Sequence, residues 1–377
     1  MIQGDQSEIV KLNGKSLTGN GILLPPGATW KIQSLKPGHV DLQVKLLGIV
    51  PLKKVRVNVL PPTKVIPAGS SIGVLLRAEG VIVVGFSSVV DSHGRLHYPA
   101  REIGIALGDL IRKVNGKTIY QTADIMQAIN DSGKNGEYLT LEIERKNNTF
   151  IKKLKPIYCR ETKKYRIGLY VVDNTEGVGT LTFYNAENRK YGALGHIITE
   201  SSTNTKMIVG KGKIVEVNIS AVAKGKRGRP GEKIGSFSLE KDKVIGNIEK
   251  NTILGVYGHL NNFPRHCYYK EPISVALVNQ VQVGPAEMLT VLEGRKIEKF
   301  QIYIEKVVRQ EKPSDKGMII RVTDKRLLKI TGGIIQGMSG SPVIQNGKLV
   351  GAVTHVFVND PTRGYGVLAE WMVREAS

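Results

Sequence analysis

The sequence predicts a mainly β fold, and three observations support this prediction. Short apolar runs rich in β-branched residues are separated by Gly, Pro and Asn turns along the whole chain. Glycine is abundant, at 42 of 377 residues, as expected where tight turns are frequent. Long stretches with the 3.6-residue apolar period of a helix are few. A chain of this length can form two or three domains, each with its own core.

The charge of the chain is strongly basic, with a formal net charge of +21 and a pI of about 9.8. Such a surface attracts anions, among them nucleic acids, anionic lipids and polymers associated with peptidoglycan. The basic residues are dispersed, and no nucleic-acid motif with interleaved aromatic residues accompanies them. The composition therefore favours general attraction to polyanions, such as an anionic membrane surface, over a specific nucleic-acid partner.

The two cysteines, Cys159 and Cys267, lie far apart in the sequence. They can form one disulfide or remain two thiols, and the sequence leaves both readings open. The length of the chain favours thiols, because a large core does not need a covalent staple. No Cys-x-x-Cys pair or His/Cys cluster indicates a metal site, and we expect no cofactor.

Residues 1–60 predict a small antiparallel β region. Val40–Val44 and Val55–Val59 alternate apolar and polar residues, which is the pattern of strands with one buried face. Pro61-Pro62 marks the end of the region. A region of this size is too small to be catalytic on its own.

Residues 62–155 contain strands, glycine-rich turns, a short helical turn, a hairpin at Asn115-Gly116, a helix and a closing strand. The helix is predicted from Ala123 to Asn130, with Thr122 as its cap. This order resembles a PDZ domain. In that fold a peptide C-terminus adds to a sheet edge beside a helix, while loop amides hold its carboxylate.

The loop of this chain that matches the carboxylate-binding loop is Ser71, Ile72, Gly73 and Val74. The resemblance therefore implies these four residues as the peptide-binding site. A PDZ domain that only packs against its neighbour, or that binds an internal segment, is the alternative.

A serine-containing turn, Gly337-Met338-Ser339-Gly340-Ser341-Pro342, lies between two strand-like apolar runs. A serine between glycines on a tight turn has an exposed hydroxyl and free backbone N–H groups nearby. These are the requirements of a nucleophile whose product oxyanion is held by N–H donors. Ser339 is the predicted nucleophile and Ser341 is its rival.

A nucleophilic serine requires a base, and seven histidines are available. Only His196 has a context that explains its position. A strand over residues 177–184, a polar turn and a second strand form a hairpin that delivers His196 at a strand end, beside small residues. His196 is therefore the predicted base.

The hairpin that ends at Gly195-His196 resembles the histidine segment of chymotrypsin-like serine proteases, and the Ser339 turn resembles their nucleophile segment. The likeness is closer to the stage IV sporulation protein B family, whose members are sporulation serine peptidases with a PDZ domain. It covers nearly the whole chain and is carried by Gly192–His196, Lys224–Gly235, Gly284–Ala286 and Gly332–Gly366.

The resemblance implies a serine endopeptidase domain at residues 156–377, built as a chymotrypsin-like double β-barrel with the active site between the barrels. It implies His196, Asp324 and Ser339 as the catalytic residues, with the N–H groups of Gly337 and Ser339 as the oxyanion hole. It also places Ala352–Val356 along the specificity pocket.

The acidic residue of this set has two candidates. Asp324 preserves the chymotrypsin-like order of His, Asp, Ser, but it precedes Ser339 by only 15 residues (339 − 324). This spacing places Asp324 in the second barrel or at its edge, whereas chymotrypsin-like proteases take the acid from the first. Either the strand that ends at Asp324 brings it to the histidine, or Asp324 only stabilises the site. Asp173 lies shortly before the histidine hairpin and is the alternative, although it would break that order.

The resemblance also implies a biological setting. Such a peptidase is exported into the space between the forespore and mother-cell membranes, where it cleaves a membrane-bound regulatory protein and so triggers processing of a late sporulation sigma factor. Family members begin with a hydrophobic anchor, whereas residues 1–6 here are polar and start no apolar run. The location therefore depends on the resemblance alone.

Two other functions remain open. A non-catalytic PDZ scaffold on a degenerate protease fold would bind partner tails without cleaving them. A nucleic-acid-binding protein would show affinity that falls steeply with salt. The basic loop from Lys224 to Lys233 is either an anion or substrate contact or a solvated loop.

Overall fold

The computed structural model describes residues 2–4, 8–17, 21–23, 30–59, 62–146, 148–207, 209–236, 243–310 and 312–377. The chain divides into two compact units, Met1–Thr63 and Lys64–Ser377.

The first unit is a small antiparallel β region, as predicted. Its described strands form two sheets in the orders β1-β5-β6 and β3-β2-β4. Alternate residues of these strands, among them Val10, Leu12, Val40 and Leu42, form a shared apolar core. The strands are β1 (Ile2–Gly4), β2 (Val10–Leu12), β3 (Lys15–Ser16), β4 (Ile32–Ser34), β5 (Gly38–Leu46) and β6 (Val50–Val59).

The second unit begins with the elements that precede residue 169, among them those of the PDZ domain. They are β7 (Lys64–Pro67), β8 (Ser71–Phe86), β9 (Val89–Val90), β10 (Leu96–His97), α1 (Pro99–Glu102), β11 (Leu110–Val114), β12 (Lys117–Thr118), α2 (Thr122–Lys134), β13 (Leu139–Arg145), β14 (Asn148–Leu154), β15 (Ile157–Cys159) and β16 (Lys164–Arg166). Helix α2 starts one residue earlier and ends four residues later than predicted. Thr122 is its first residue rather than its cap, and the Gln121 nitrogen before it donates to the Asp124 carboxylate at 3.1 Å.

The histidine half of the peptidase region follows. Its elements are β17 (Leu169–Tyr184), β18 (Lys190–Ala193), β19 (Val209–Glu216), β20 (Asn218–Ala223), β21 (Glu232–Ser236), β22 (Val244–Ile248), β23 (Lys250–Thr252), β24 (Gly255–His259), β25 (Ile273–Ser274) and a 3-10 helix (Val278–Gln280).

The serine half ends the chain. Its elements are β26 (Gly284–Val291), β27 (Ile297–Val307), β28 (Met318–Val322), α3 (Lys325–Thr331), β29 (Pro342–Gln345), β30 (Lys348–Phe357), β31 (Asp360–Leu368) and α4 (Ala369–Ala376).

The serine half closes into a barrel in the strand order β26-β27-β28-β31-β30-β29, with Met288, Phe300, Ile320 and Val353 in its core. The histidine half is a half-barrel within a larger sheet that also contains the PDZ strands. These features confirm the predicted fold class, a mainly β chain with a PDZ domain and a chymotrypsin-like peptidase domain. They correct one detail, because among the described residues only the second barrel is closed.

Two strands of 16 residues each, β8 and β17, run through both the PDZ domain and the peptidase region. They pair with each other antiparallel from Leu169 opposite Phe86 to Thr180 opposite Ser71. The chain divides into compact units at Thr63 and Lys64, and it does not divide at the predicted boundary between residues 155 and 156. The PDZ domain and the peptidase region share one continuous backbone framework.

Neither Cys159 nor Cys267 forms a disulfide in the described structure; Cys159 is buried and Cys267 donates to the Pro264 carbonyl at 3.4 Å. Of the helices that the structure describes, none has both the length and the apolar composition needed to cross a membrane.

Candidate active site

The predicted nucleophile turn joins α3 to β29 and depends on two glycines. Gly337 and Gly340 have φ angles of +89° and +92°, which disfavour any residue with a Cβ atom. A Cβ atom on Gly340 would overlap the Thr180 carbonyl oxygen and lie 2.5 Å from the Leu194 nitrogen. The turn therefore lies against the histidine half, and glycine permits that close approach.

Strand β17 holds the nucleophile turn with three hydrogen bonds. The Thr180 nitrogen donates to the Ser339 carbonyl at 2.9 Å, and the Thr180 hydroxyl donates to the Gly337 carbonyl at 2.8 Å. The Thr182 hydroxyl donates to the Gly340 carbonyl at 2.8 Å. Both threonines are fully buried, so these bonds are shielded from water.

The two candidate serines differ in exposure. Ser339 is half-buried and lines a cleft, whereas Ser341 is fully buried and its hydroxyl has no hydrogen-bond partner among the described residues. A buried hydroxyl cannot reach a substrate. The geometry therefore favours Ser339 as the nucleophile.

Backbone donors lie beside Ser339. The N–H groups of Gly337 and Ser339 donate to no other residue in the described part of the chain, while Gly340 and Ser341 donate to the carbonyls of Val353 and Met338. Unpaired N–H groups next to a candidate nucleophile are what an oxyanion hole requires. They are the two donors that the sequence predicts.

His196 follows β18 through a strained turn. Leu194 and Gly195 have φ angles of +67° and +72°. A positive φ at leucine is unfavourable and occurs where the surrounding structure imposes it. Here the Leu194 side chain fills the space that a Cβ atom on Gly179 would occupy, which explains the small residue on the facing strand.

The His196 ring is held by a backbone carbonyl. Its Nδ1 lies 2.8 Å from the Ile197 carbonyl oxygen, which can only accept a hydrogen bond. Nδ1 therefore carries the proton, and the lone pair of Nε2 is left for general-base chemistry.

His196 and Ser339 line the same cleft, which has a volume of about 280 Å³. The walls come from both halves of the peptidase region and from β8. The lining residues are Val74, Thr175, Glu176, Gly177, Val178, Leu194, His196, Ile197, Ile198, Thr199, Gln336, Gly337 and Ser339.

The Ser339 hydroxyl does not bond to His196 in this structure. It donates instead to the Thr354 carbonyl at 2.8 Å. Attack on a substrate requires the hydroxyl to leave this bond and turn towards His196. Catalytic hydrogen bonds often tighten only when substrate is bound.

The structure does not bring Asp324 to His196. Asp324 caps α3, where its carboxylate accepts from the Leu327 nitrogen at 2.9 Å and the Gln301 nitrogen at 3.4 Å. Asp173 is also engaged elsewhere, because it accepts from the Thr122 nitrogen at the start of α2. Within the described ranges, no carboxylate forms a hydrogen bond with the His196 ring.

A different acidic residue lies near the base. The ring of His355, on β30, is centred 4.8 Å from that of His196, and the Asp315 carboxylate lies 3.7 Å from His355 Nδ1. Sequence reasoning missed Asp315 because it lies in a loop without a recognisable motif. The resemblance placed Ala352–Val356, and with them His355, along the specificity pocket, but none of these five residues lines the cleft.

Burial lowers the pKa of His196 below its ordinary value of 6.5, and the Ile197 carbonyl and Asp315 oppose that shift only in part. Burial also lowers the pKa of His355, and the neighbouring His196 lowers it further. Both shifts favour the neutral ring at pH 7, and neutral His196 can accept a proton.

Ser71, Ile72, Gly73 and Val74 do not form a peptide-binding loop in the structure. They begin β8, where β17 pairs with all four on one side and β19 pairs with Ile72–Val74 on the other. All four are buried. A peptide cannot add to a strand that already has a neighbour on each side. The prediction that these residues bind a peptide is therefore wrong.

Comparison with known proteins agrees with the geometry. Residues 71–152 match the family model of the PDZ domain, and residues 163–373 match that of SpoIVB peptidase S55. The fold and the site thus define a PDZ-containing serine peptidase. The second match spans more than half of the chain, and the chain belongs to the SpoIVB peptidase S55 family, as the sequence resemblance predicted.

Individual relatives are more distant. A Clostridium acetobutylicum protein named "Putative zinc metalloprotease" is 33% identical over 111 residues, which are 28% of this chain and 32% of that protein. The chain thus spans about a third of the length of that relative. Two crystal structures of the M. tuberculosis Rv3671c protease, an inactive and an active form, share 14% and 15% identity. They cover 52% and 54% of this chain and 81% and 73% of their own, each with a TM-score of 0.29.

Proposed function

We propose that this chain is a serine endopeptidase in which Ser339 is the nucleophile and His196 the general base. The observation that carries this proposal is that both side chains face one cleft beside the unpaired N–H groups of Gly337 and Ser339. Nucleophile, base and oxyanion donors are the parts that acyl transfer needs.

The reaction would proceed by two acyl transfers. His196 Nε2 takes the Ser339 hydroxyl proton as Oγ attacks the peptide carbonyl carbon, and the N–H groups of Gly337 and Ser339 stabilise the negative oxygen. The C–N bond then breaks, and His196 gives its proton to the leaving amine. Water hydrolyses the resulting ester by the same proton transfers, which regenerates Ser339.

In this proposal two groups share the role that the acidic residue of a catalytic triad has towards its histidine. The Ile197 carbonyl fixes the His196 ring, and the Asp315 carboxylate stabilises its cation from beyond His355. Asp315 faces His196 only across the His355 ring, and a charge screened in this way is worth about 1 kcal/mol, which is roughly fivefold in rate. Asp324 would act instead as a helix cap.

Isosteric substitutions separate the two acidic residues. Asp315→Asn should lower kcat/KM about fivefold because it removes the charge near His196. Asp324→Asn should change kcat/KM by less than about twofold, since asparagine also caps helices well. Steady-state kinetics on a peptide substrate measures both. The opposite ranking would restore Asp324 as the catalytic acid.

The pH dependence of peptide hydrolysis tests the assigned base. Only neutral His196 accepts the Ser339 proton, and its pKa is lowered by burial, so the acid limb of kcat/KM should have its midpoint below pH 6.5. As pH falls from 6.5 towards the folded pKa, the unfolded chain binds the proton first, so the free energy of unfolding should also decrease. A midpoint above 6.5 would contradict a buried His196 as the base.

Protein substrates and peptide binding follow from a peptidase with a PDZ domain. We propose that a peptide adds to Leu169–Val172 of β17 rather than to residues 71–74. Leu169–Val172 pair with β8 on one side and with no strand on the other in the described structure. The next residue of β17, Asp173, accepts a hydrogen bond from the first residue of α2, so this open edge lies beside the helix. A bound C-terminal peptide should slow amide exchange at residues 169–172; slowing only at other segments would rule this edge out.

The family also supports a narrower role, in which the substrate is a membrane-bound regulatory protein and the site of action lies between the forespore and mother-cell membranes. The support is the family match and the resemblance of the sequence. The net charge of +21 would favour an anionic membrane surface near the substrate.

Product analysis tests the proposed activity. The chain is incubated with an unstructured protein, and new termini are mapped by mass spectrometry. Internal cleavage by the wild type and by Ser341→Ala, with none by Ser339→Ala, is the expected result. Loss of cleavage in Ser341→Ala alone would assign the nucleophile to Ser341 instead. No cleavage by the folded wild type, even with PDZ peptides added, would support the scaffold function.

A further inference from the structure

The segment Pro230–Gly235 carries part of the family likeness, yet the proposed reaction does not use it. In the structure it lies directly against the residues that precede the nucleophile. The Lys233 nitrogen donates to the Gln336 carbonyl at 3.0 Å, and the Gln336 nitrogen donates to the Gly231 carbonyl at 2.8 Å. These two bonds form a short parallel bridge between the start of β21 and the nucleophile turn.

The side chain of Lys233 is 5% exposed and contacts three parts of the second unit. Its Nζ bonds to the Thr290 hydroxyl at 2.7 Å, on β26 of the closed barrel, and to the Ser71 hydroxyl at 3.3 Å, at the start of β8. Its methylene groups lie beneath Gly337, where an added Cβ atom would meet them at 3.1 to 3.2 Å.

Among the described residues, no carboxylate bonds to the Lys233 amine. The ionisable groups near Ser71 are Arg265, His266 and the pair Glu216–Arg295 at 3.0 Å; the strand of Thr290 carries Glu287, paired with Lys299 at 2.8 Å. Burial alone lowers the pKa of Lys233 to about 7. The unfolded chain keeps this proton up to its ordinary pKa of 10.5, so the penalty is complete below pH 7 and disappears as pH rises to about 10.5.

A lysine in this position is therefore not explained by stability, since an apolar side chain of similar volume would avoid the cost. The contacts of Lys233 explain why a lysine occupies this position. The methylene groups support Gly337, and the amine fixes that support to the closed barrel and to β8 at once.

We propose that Lys233 is a positioning residue that holds the Gly337 N–H in the geometry of the oxyanion hole by linking the nucleophile turn to Ser71 and Thr290. This inference rests on the proposed function for its catalytic consequence. Its structural part, the ordering of the turn by Lys233, stands independently and has its own measurement.

The test uses the full chain with Lys233→Met, which keeps the apolar stem and removes the amine. Thr290→Val removes one hydroxyl partner at nearly constant shape, and Lys329→Met is the control, because Lys329 is an exposed lysine on α3. Amide exchange is followed in residues 333–341, kcat and KM are measured on a peptide substrate, and thermal unfolding is recorded at pH 7.

Lys233→Met should speed exchange in residues 333–341 at least tenfold and lower kcat by 10- to 100-fold, with KM within about threefold, as for a weakened oxyanion donor. Its Tm at pH 7 should be equal to or higher than that of the wild type, which separates positioning from a purely structural role. Thr290→Val should shift exchange and kcat in the same direction by a smaller factor, and Lys329→Met should shift neither.

Exchange within threefold of the wild type in folded Lys233→Met would overturn the inference, whether or not the chain is active. If Lys233→Met does not fold, Thr290→Val decides by the same criterion. Faster exchange in a chain whose wild type cleaves no peptide would reject the proposed function while confirming that Lys233 orders the turn.

Discussion

Replacing His196 by alanine is expected to lower kcat/KM for peptide hydrolysis by about 10⁴-fold or more. The Ser339 hydroxyl is a poor nucleophile unless a base removes its proton during attack. His196 is the histidine whose ring is oriented by a backbone carbonyl and which shares a cleft with Ser339. Steady-state kinetics on a peptide substrate, with thermal unfolding as a check on folding, measures the effect.

His355 provides the matched comparison, because its ring lies 4.8 Å from that of His196 but it does not line the cleft. His355→Ala should lower kcat/KM by no more than about tenfold, since it removes a neighbour of the base and no reacting atom. Equal losses in the two variants would mean that the base has been assigned to the wrong histidine.

Gly340→Ala should have the largest effect on stability, lowering the free energy of unfolding by about 4 kcal/mol or more. Two costs combine at this position. The φ angle of +92° disfavours alanine, and its Cβ atom would overlap the Thr180 carbonyl, which belongs to the strand that holds the nucleophile turn. Chemical denaturation measures the loss, and any variant that folds should be inactive.

Gly347→Ala separates these two costs. Gly347 has a φ angle of +69°, but a Cβ atom there would have no neighbour within 4 Å. This variant should lose only about 1 kcal/mol, the usual cost of a positive φ angle at a residue with a side chain. If Gly340→Ala were no more destabilised than Gly347→Ala, the close approach of the two halves at Ser339 would be in doubt.

Local sequence patterns predicted the parts of the site that depend on local geometry. Ser339 and its glycines define a turn, and the hairpin before His196 defines a strand end, so a short window contains the information for each. Alternation and turn residues predicted the strands and the order of the PDZ elements in the same way, whereas the barrel architecture was implied by the family resemblance.

The PDZ loop was misplaced because a local pattern does not specify strand partners. Ser71–Val74 have the composition expected of a loop that opens a strand, but β17 and β19, far along the chain, cover both edges. Long-range pairing of this kind can be read only from the folded structure.

Asp315 and Lys233 could not be found from the sequence for a related reason. Asp315 reaches the site through a loop, and Lys233 looked like one more charge in a basic segment, where solvent exposure is the usual expectation. Its burial depends on hydroxyls contributed by β8 and β26. For Asp324 the sequence predicted a catalytic role, whereas in the structure its carboxylate caps α3.

The central claim is that Ser339 is a nucleophile activated by His196. Labelling the folded chain with a fluorophosphonate, followed by mass-spectrometric mapping of the adduct, tests it most directly. We expect a single adduct on Ser339, absent from His196→Ala and retained in Ser341→Ala. An adduct on another residue, or none in the folded wild type with PDZ peptides present, would contradict the claim.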